Sequence, residues 1–301
     1  MKNPKVSVII PTYNREKFLE RAINSVLSQS LKDYEIIIID DASTDNTSNI
    51  VKSEYPKLKL ITLKQNKGAA VARNEGIKKA KGKYIAFLDS DDIWHKNHLK
   101  ILVKELEKNP DAILSYCDYV EIKENKKTIY HKEPINKKDL KYSMLFGTFI
   151  TSLSLVVISK DKLIKAGLFN ESLRISEDAE LYLRLLNHGK FIHIKEILTT
   201  KYSQHDNLIH NYKLYTKEKS KEIDIVLSKK ENKKYKHLKN KLKAHHLLTL
   251  AEYKIMKEKD IYAVSYLIIS SLKHSIYRTT AELSKLILNG FNQLLKKIKI
   301  K

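Results

Sequence analysis

An α/β fold, with a mostly parallel Rossmann-like sheet covered by helices on both faces, is predicted by three features of the first 120 residues. Apolar strand-like runs alternate with helical stretches. Those runs are too continuously apolar for a half-exposed sheet, and two of them end in clustered aspartates. The alternation itself argues for βαβ connections and parallel pairing.

The elements follow in order. "KVSVIIPTY" (5–13) is a β-branched strand expected to stop at Pro11. "REKFLERAINSVLSQS" places Phe18, Leu19, Ala22, Ile23, Val26 and Leu27 on one helical face. "YEIIIIDD" (34–41) is a doubly covered strand ending in Asp40 and Asp41, and "STDNTSNIVKSEY" is a capped helix. "LKLITLKQN" makes the third strand. "GAAVARNEGIKKAKG" is a helix entered by a tight turn at Asn66 and Gly68 and ended at Lys81–Gly82. "KYIAFLDSDD" (83–92) is the fourth strand, "NHLKILVKELEKNP" its covering helix and "AILSYCDYV" the fifth strand. Between 139 and 205 the pattern is mixed: a helix near "LKYSMLFG", a strand in "SLSLVVISK", then "KDKLIKAGLF". In "SEDAELYLRLLNHG" Ser176 suits an N-cap, with Glu177, Asp178 and Glu180 in the first turn. A catalytic region over 1–210 and a lysine-rich helical region over 211–301 are the expected divisions.

Composition narrows the class. A chain of 301 residues with 42% hydrophobic and 31% charged residues is globular and not disordered. One cysteine, Cys117, excludes an internal disulfide framework and suits a reducing compartment. The apolar run at the N-terminus is too short for a signal peptide, and no stretch approaches the roughly 20 apolar residues of a membrane span. A cytoplasmic location is therefore expected. The net charge of +22 is uneven: residues 211–301 hold 22 Lys+Arg against 8 Asp+Glu. Such an excess points to a polyanionic partner, or to no more than a lysine-rich composition.

Three motifs carry chemistry. In open parallel sheets ligands bind at the carboxyl ends of the strands, where both aspartate clusters fall. Asp89 and Asp91 of "DSDD" offer hard oxygen ligands suited to Mg²⁺ or Mn²⁺, especially when a diphosphate completes the coordination; the plain alternative is a capping turn. "NKGAAVARNEG" puts helix-start N–H groups before Arg73, which can neutralise a phosphate, hold an acidic strand end or lie idle on the surface. The acids of "SEDAEL" stabilise a helix dipole, and gain a role as general base if the helix start faces "DSDD". His205 is a metal or phosphate candidate, or an ordinary loop histidine. Dinucleotide and P-loop glycine motifs are absent, as are zinc-type clusters.

In this order and spacing the motifs resemble the family 2 glycosyltransferases of the GT-A fold, over about residues 4–205. The resemblance rests on "VSVIIPTYNREKFLERAINSVLSQ", "YEIIIIDDASTDNT", "NKGAAVARNEGIKKAKGKYIAFLDSDD" and "LIKAGLFNESLRISEDAELYLRLLNHG". It implies a nucleotide-sugar donor, most simply a UDP-sugar, lying across the strand ends. Pro11, Thr12 and Tyr13 would line the uracil and ribose, Asp41 with Asp40 would receive the base, and Arg73 would lie near the nucleotide. Asp89, with Ser90, would hold the ribose and Asp91 the Mn²⁺ or Mg²⁺ and diphosphate. Asp178 matches the catalytic base of an inverting transfer, and His205 a position that assists the metal. The acceptor would be a glycan or lipid-linked saccharide in cell-surface polysaccharide biosynthesis.

Residues after about 211 match no motif of the family, and no Q-x-x-R-W or spanning helix marks a processive synthase. "AELSKLILNGFNQLLKKIKIK" (281–301) carries an apolar stripe flanked by lysines, which suits an anionic membrane interface or ordinary packing. Two other classes compete: a sugar nucleotidyltransferase, disfavoured because "PTYNREKFL" lacks glycine, and a basic nucleic-acid-binding module. Nucleic acid is not the expected partner, since the carboxylate clusters would repel it.

Overall fold

The computed structural model describes residues 3–123, 126–202, 211–254 and 268. The chain forms two compact units, Met1–Met144 with Thr148–His205, and Leu145–Gly147 with Asp206–Lys301.

In the first unit, β1 (Val6–Thr12) is buried along its whole length. It pairs in parallel with β2 (Tyr34–Asp40), and β3 (Lys59–Thr62) extends β2 outward. β4 (Tyr84–Phe87) flanks β1 on the other side, again parallel. The intervening helices are α1 (Leu19–Leu27), α2 (Thr47–Glu54) and α3 (Ala69–Lys79). β1 continues through Pro11, contrary to the expected stop. Pro11 lies opposite Ile39 but beyond Ile9, the last residue paired with β4, so no β4 partner is deprived of a donor. On α1 the buried side is Leu19, Ala22, Ile23, Ser25 and Val26, whereas Leu27 stays 40% exposed. The apolar stripe therefore turns out of contact one residue earlier than expected. Ser25 is accommodated because its hydroxyl donates to the Ala22 carbonyl and accepts from the Trp94 N–H.

Two glycines set the position of α3. Gly68, just before the helix, has φ +91°, a left-handed value that a side chain would strain. Gly76 faces β1 so closely that a Cβ would come within 2.5 Å of Ile9 Cγ2. Close packing against β1 thus draws the whole buried face of α3, Arg73 included, onto the sheet.

The second half of the sheet is mixed. After β5 (Ile93–Trp94) and α4 (His98–Lys108) come β6 (Ala112–Lys123) and its hairpin partner β7 (Lys126–Tyr130). Then follow α5 (Leu140–Phe146), a 3₁₀ turn at Leu153–Leu155, β8 (Val156–Ser159), α6 (Lys160–Ala166), α7 (Glu177–Leu185) and the long β9 (Lys190–Tyr202). The order across the sheet is β3-β2-β1-β4-β8-β6-β9-β5. β8 enters antiparallel between β4 and β6, so the fifth strand expected from sequence is not the neighbour of the fourth. "VVIS" is short and mostly apolar, and nothing in such a run encodes direction. β6 and β9 pair in parallel, with irregularities around Cys117–Tyr119. Cys117 is a buried free thiol in this ladder, its acidity suppressed to a pKa of about 12 by burial.

The second unit is helical in its described part: α8 (Tyr212–Ser228), a 3₁₀ run over Lys230–Leu238, and α9 (Lys239–Tyr253). Leu247, Leu250 and Ala251 pack with Tyr212, Tyr215 and Ile268. Lys239 and Lys243 both pair with Asp224, tying α9 to α8. No helix among the described residues is long and apolar enough to cross a membrane. The lysine-flanked stripe at 281–301 lies outside the described residues.

Candidate active site

The site is assembled where β1 and β4 end. Asp40 and Asp41, at the end of β2, are both buried, and each has a defined task. Asp40 Oδ1 accepts from the Ser43 N–H (3.0 Å) and hydroxyl (2.5 Å), and Oδ2 accepts from the Ser48 hydroxyl. Asp41 accepts from the Lys67 N–H (2.8 Å) and Gly68 N–H (2.7 Å). The anion expected before α3 is therefore internal, the carboxylate of Asp41. Thr12 is latched to this corner by its carbonyl, which accepts from the Asp41 N–H. Asn14, in left-handed geometry, donates its N–H to Ser43 Oγ and accepts from the Thr44 N–H through Oδ1. Pro11 and Thr12 are buried and Tyr13 is 42% exposed.

The "DSDD" turn follows Leu88, whose N–H donates to the Ile9 carbonyl, and is closed by the Asp92 N–H donating to the Asp89 carbonyl. Its acids have different surroundings. Asp89 accepts from Arg73 Nη2 (2.9 Å) and the Ser152 hydroxyl (3.1 Å), and its N–H donates to Ser154 Oγ. Burial alone would raise its pKa, but Arg73 and then Lys201 outweigh burial and hold it below the usual carboxylate value. Ser90 is buried. Asp91 is held loosely, with Arg15 Nε 4.0 Å away, and its pKa is raised by burial and then by Asp89. Its carbonyl accepts from Arg21 Nη2 (2.7 Å), and that guanidinium stacks 3.7 Å from the centre of the Tyr202 ring. Asp92 is buried and accepts from the Tyr202 N–H (3.2 Å); burial pushes its pKa to about 7.

Arg73 decides the relation between this turn and α7. Its Nη1 donates to Glu177 Oε1 at 2.7 Å while Nη2 holds Asp89, so one buried guanidinium joins the acid turn to the start of α7. Of the roles open to Arg73 from sequence, holding an acidic strand end is the one seen. Asp178 follows Glu177, and its charge reaches both Arg73 and the buried Tyr182. The start of α7 therefore meets "DSDD" through Arg73. The expected cap is not formed, because Ser176 is in left-handed geometry and its side chain makes no capping bond. Glu177 pairs with Arg73 instead, while Glu180 of the same turn pairs with Arg184.

Sequence reasoning missed Lys201, Arg15, Arg21, Ser152 and Ser154. They reach the turn from elements 60 to 112 residues away in the chain or carry no motif of their own. Only the basic residue at the end of an apolar strand, "ILTTKY", gave a faint signal. His205 lies outside the described residues.

The donor set suits a divalent cation in one way only. No group of three or more His, Cys, Asp or Glu side chains able to hold a metal ion is present among the described residues. Asp91 offers a single loosely held carboxylate beside a satisfied Asp89. Such a site fits a hard cation whose other ligands are oxygens brought by a diphosphate and water.

Residues 7–167, more than half of the chain, match the model for Glycosyl transferase family 2. A Staphylococcus aureus protein described as poly(ribitol-phosphate) beta-N-acetylglucosaminyltransferase TarP is 38% identical over 200 residues, covering 64% of this chain and 60% of that one. The chain spans between 27% and 63% of the length of several other curated relatives. Among solved structures, S. aureus TarS 1–349 in complex with UDP-GlcNAc has a TM-score of 0.63 at 20% identity, covering 90% of this chain and 81% of that one. A Pyrobaculum calidifontis mannosyltransferase in complex with GDP-Man and Mn²⁺ has a TM-score of 0.61 at 19% identity, covering 98% and 88%. Likeness at these identities establishes the GT-A fold. Taken with the family match, it places the chain in glycosyl transferase family 2.

Proposed function

We propose that the protein transfers a sugar from a nucleotide-sugar, a UDP-sugar in the simplest case, to a hydroxyl of a glycan or lipid-linked saccharide in cell-surface polysaccharide biosynthesis. The observation that carries this is Arg73 bound to Asp89 and Glu177 together, which supports a donor turn and a base-bearing helix start sharing one crevice. Residues 1–210 would form the catalytic region. Pro11, Thr12, Tyr13 and Asp41 would receive the nucleoside, with Asp40 building the corner beneath it, and Asp89 and Ser90 would hold the ribose. Arg73 would fix the acid turn beside the nucleotide.

Asp178 would accept the proton of the acceptor hydroxyl as its oxygen attacks the sugar C1. The C1–O bond to the diphosphate breaks on the opposite face, its electron pair leaves with the nucleoside diphosphate, and the anomeric centre inverts. A Mn²⁺ or Mg²⁺ ion bound through Asp91, with His205 as a further candidate, would supply charge stabilisation for the departing diphosphate. Arg15 and Arg21 would keep the turn in place behind it. The nucleotide-sugars in the TarS and mannosyltransferase structures favour this donor class. Residues 211–301, carrying most of the excess charge, would hold the enzyme against the anionic cytoplasmic face of a membrane, near a lipid-linked acceptor.

The test is a screen of UDP-, GDP- and other nucleotide-sugars for release of nucleoside diphosphate, with Mn²⁺, with Mg²⁺ and with excess EDTA. Metal-dependent release from one donor class is expected. No release from any donor with any acceptor extract, or full turnover in EDTA, would overturn the donor or the metal assignment respectively.

A further inference from the structure

The excess charge of the helical second unit is ordered where α8 gives way to α9. Lys230–Leu238 is a 3₁₀ run of nine residues, whereas such runs seldom exceed about four. Three residues per turn align every third side chain along one edge. Asn232 and Tyr235 share an edge, and both are buried. The Asn232 amide donates through Nδ2 to the Val226 carbonyl at 2.9 Å, which pins that edge to the end of α8. The other two edges, Lys230, Lys233 and Lys236 on one and Glu231, Lys234 and His237 on the other, are exposed throughout. With a rise of about 2.0 Å per residue, the attachment points of the three aligned lysines stand about 6 Å apart. Lys239, next in register, opens α9 and is drawn aside by Asp224 at 3.0 Å. Lys230, Lys233 and Lys236 have no ion-pair partner among the described residues.

We infer that the edge formed by Lys230, Lys233 and Lys236 binds a linear polyanion, a flexible saccharide or polyol chain with one phosphodiester in each short repeat. Successive phosphates of such a chain meet successive ammonium groups. No large apolar side chain is exposed along this run. It therefore has nothing to insert among lipid tails and no aromatic platform on which a base could stack. What it offers is a line of point charges, and a lysine needs no fixed geometry to meet a phosphate. Because the run is pinned from beneath, the line is held in place before the polymer arrives, and less ordering is lost on binding. The inference rests on the transferase reading only in making this polymer the acceptor; the binding itself requires no catalysis. On that reading the row holds one stretch of an acceptor chain and raises the effective concentration of its other repeats. Attachment to a membrane is then left to the rest of residues 211–301.

The experiment titrates the full chain into fluorescently labelled poly(glycerol phosphate) of about twelve repeats, read by anisotropy over a series of salt concentrations. Three phosphate contacts contribute about −2 to the slope of log affinity against log salt. Lys230→Gln, Lys233→Gln and Lys236→Gln together should weaken binding about tenfold or more at low salt and flatten the slope by about 2. The control is Lys52→Gln, Lys57→Gln and Lys64→Gln, which removes the same charge from three exposed lysines of the first unit. It should stay within about threefold of the parent. Equal losses in the two triple variants overturn the inference, because net charge alone would then account for the binding. An oligothymidylate of equal charge should bind no tighter than the polymer. Row-dependent binding about tenfold tighter would overturn the inference in favour of a nucleic acid. Vesicles of phosphatidylcholine and phosphatidylglycerol supply the last arm. Sedimentation with them that needs the three lysines, beside polymer binding that does not, overturns it in favour of a lipid surface. The two readings fail separately. A nucleotide-sugar screen without turnover, beside row-dependent polymer binding, refutes the transferase and keeps the row; an active transferase whose polymer binding ignores the row refutes the row alone.

Discussion

Replacing Arg73 with methionine is the most direct perturbation of the site, because one side chain joins its two halves. The guanidinium is 7% exposed and makes ion pairs of 2.9 Å to Asp89 and 2.7 Å to Glu177. Removing it leaves two carboxylates facing each other beside Asp91 and Asp178. Breaking a buried pair by deleting one partner costs about 3–5 kcal/mol. The Asp89 side chain is 30% exposed, so water softens the loss and the lower end, about 3 kcal/mol, is expected. At about 3 °C per kcal/mol for a chain of this size, the melting temperature should fall by about 9 °C. Arg73→Lys keeps the charge but cannot fork to both carboxylates, so it should fall in between. Mn²⁺ should raise the melting temperature of Arg73→Met more than that of the parent, because a cation can occupy the space between the orphaned acids. Circular dichroism melts with and without Mn²⁺ measure all three. A folded Arg73→Met protein melting within about 2 °C of the parent would refute the view that this guanidinium clamps the crevice.

The base and the buried histidine give two further tests. Asp178→Asn preserves shape and removes basicity, so donor binding by calorimetry should survive while transfer falls by about 10² or more; near-normal transfer would move the role elsewhere. His98 is fully buried, stacked on Trp94 at 4.3 Å, and burial pushes its pKa down from 6.5 to about 3. The unfolded chain binds a proton there that the folded chain refuses, so its contribution is complete above about pH 6.5 and is lost as pH falls, by about 2 kcal/mol at pH 5. Asp92, with its pKa raised to about 7, acts in the opposite sense in this window, so the quantity to follow is the difference between variant and parent. His98→Phe keeps the stack and should lose less stability than the parent between pH 7 and pH 5 in urea titrations. Equal acid sensitivity would show that His98 is not the titrating group.

The parts of the fold visible in the sequence are those encoded locally. Strand runs such as "SVIIPT" and "EIIIID", the entry to α3 at Gly68 and the acid turn after "YIAF" each depend on neighbours a few residues away, and all stand where expected apart from the continuation of β1 through Pro11. What could not be read depends on contacts between distant segments. The insertion of β8 between β4 and β6 brings Ser152 and Ser154 to Asp89, 63 to 65 residues away in the chain. The Tyr202 N–H meets Asp92 across 110 residues. Ser176 looked like an N-cap because its residue type and position were right. The side chain was not free to adopt the capping geometry, since its backbone is left-handed and the two following carboxylates lie by Arg73.

The two aspartate clusters look alike in the sequence, each two or three acids at the end of an apolar strand, and the structure divides their labour by hydrogen-bond saturation. Three donor atoms converge on Asp40, all from residues within eight positions, and two backbone N–H groups converge on Asp41. These acids build the corner against which β1 and α3 are set, and an Ala in place of Asp40 would strand the Ser43 N–H in that corner. Asp89 is likewise satisfied, but by an arginine that also answers to α7. Asp91 has its nearest cation at 4.0 Å, and Asp92 keeps one buried carboxylate oxygen with no hydrogen-bond partner. Carboxylates held this loosely cost stability, as the raised pKa values of Asp91 and Asp92 record. The difference in saturation, more than the presence of aspartates at strand ends, separates the acids that build the corner from the less satisfied acids of the turn.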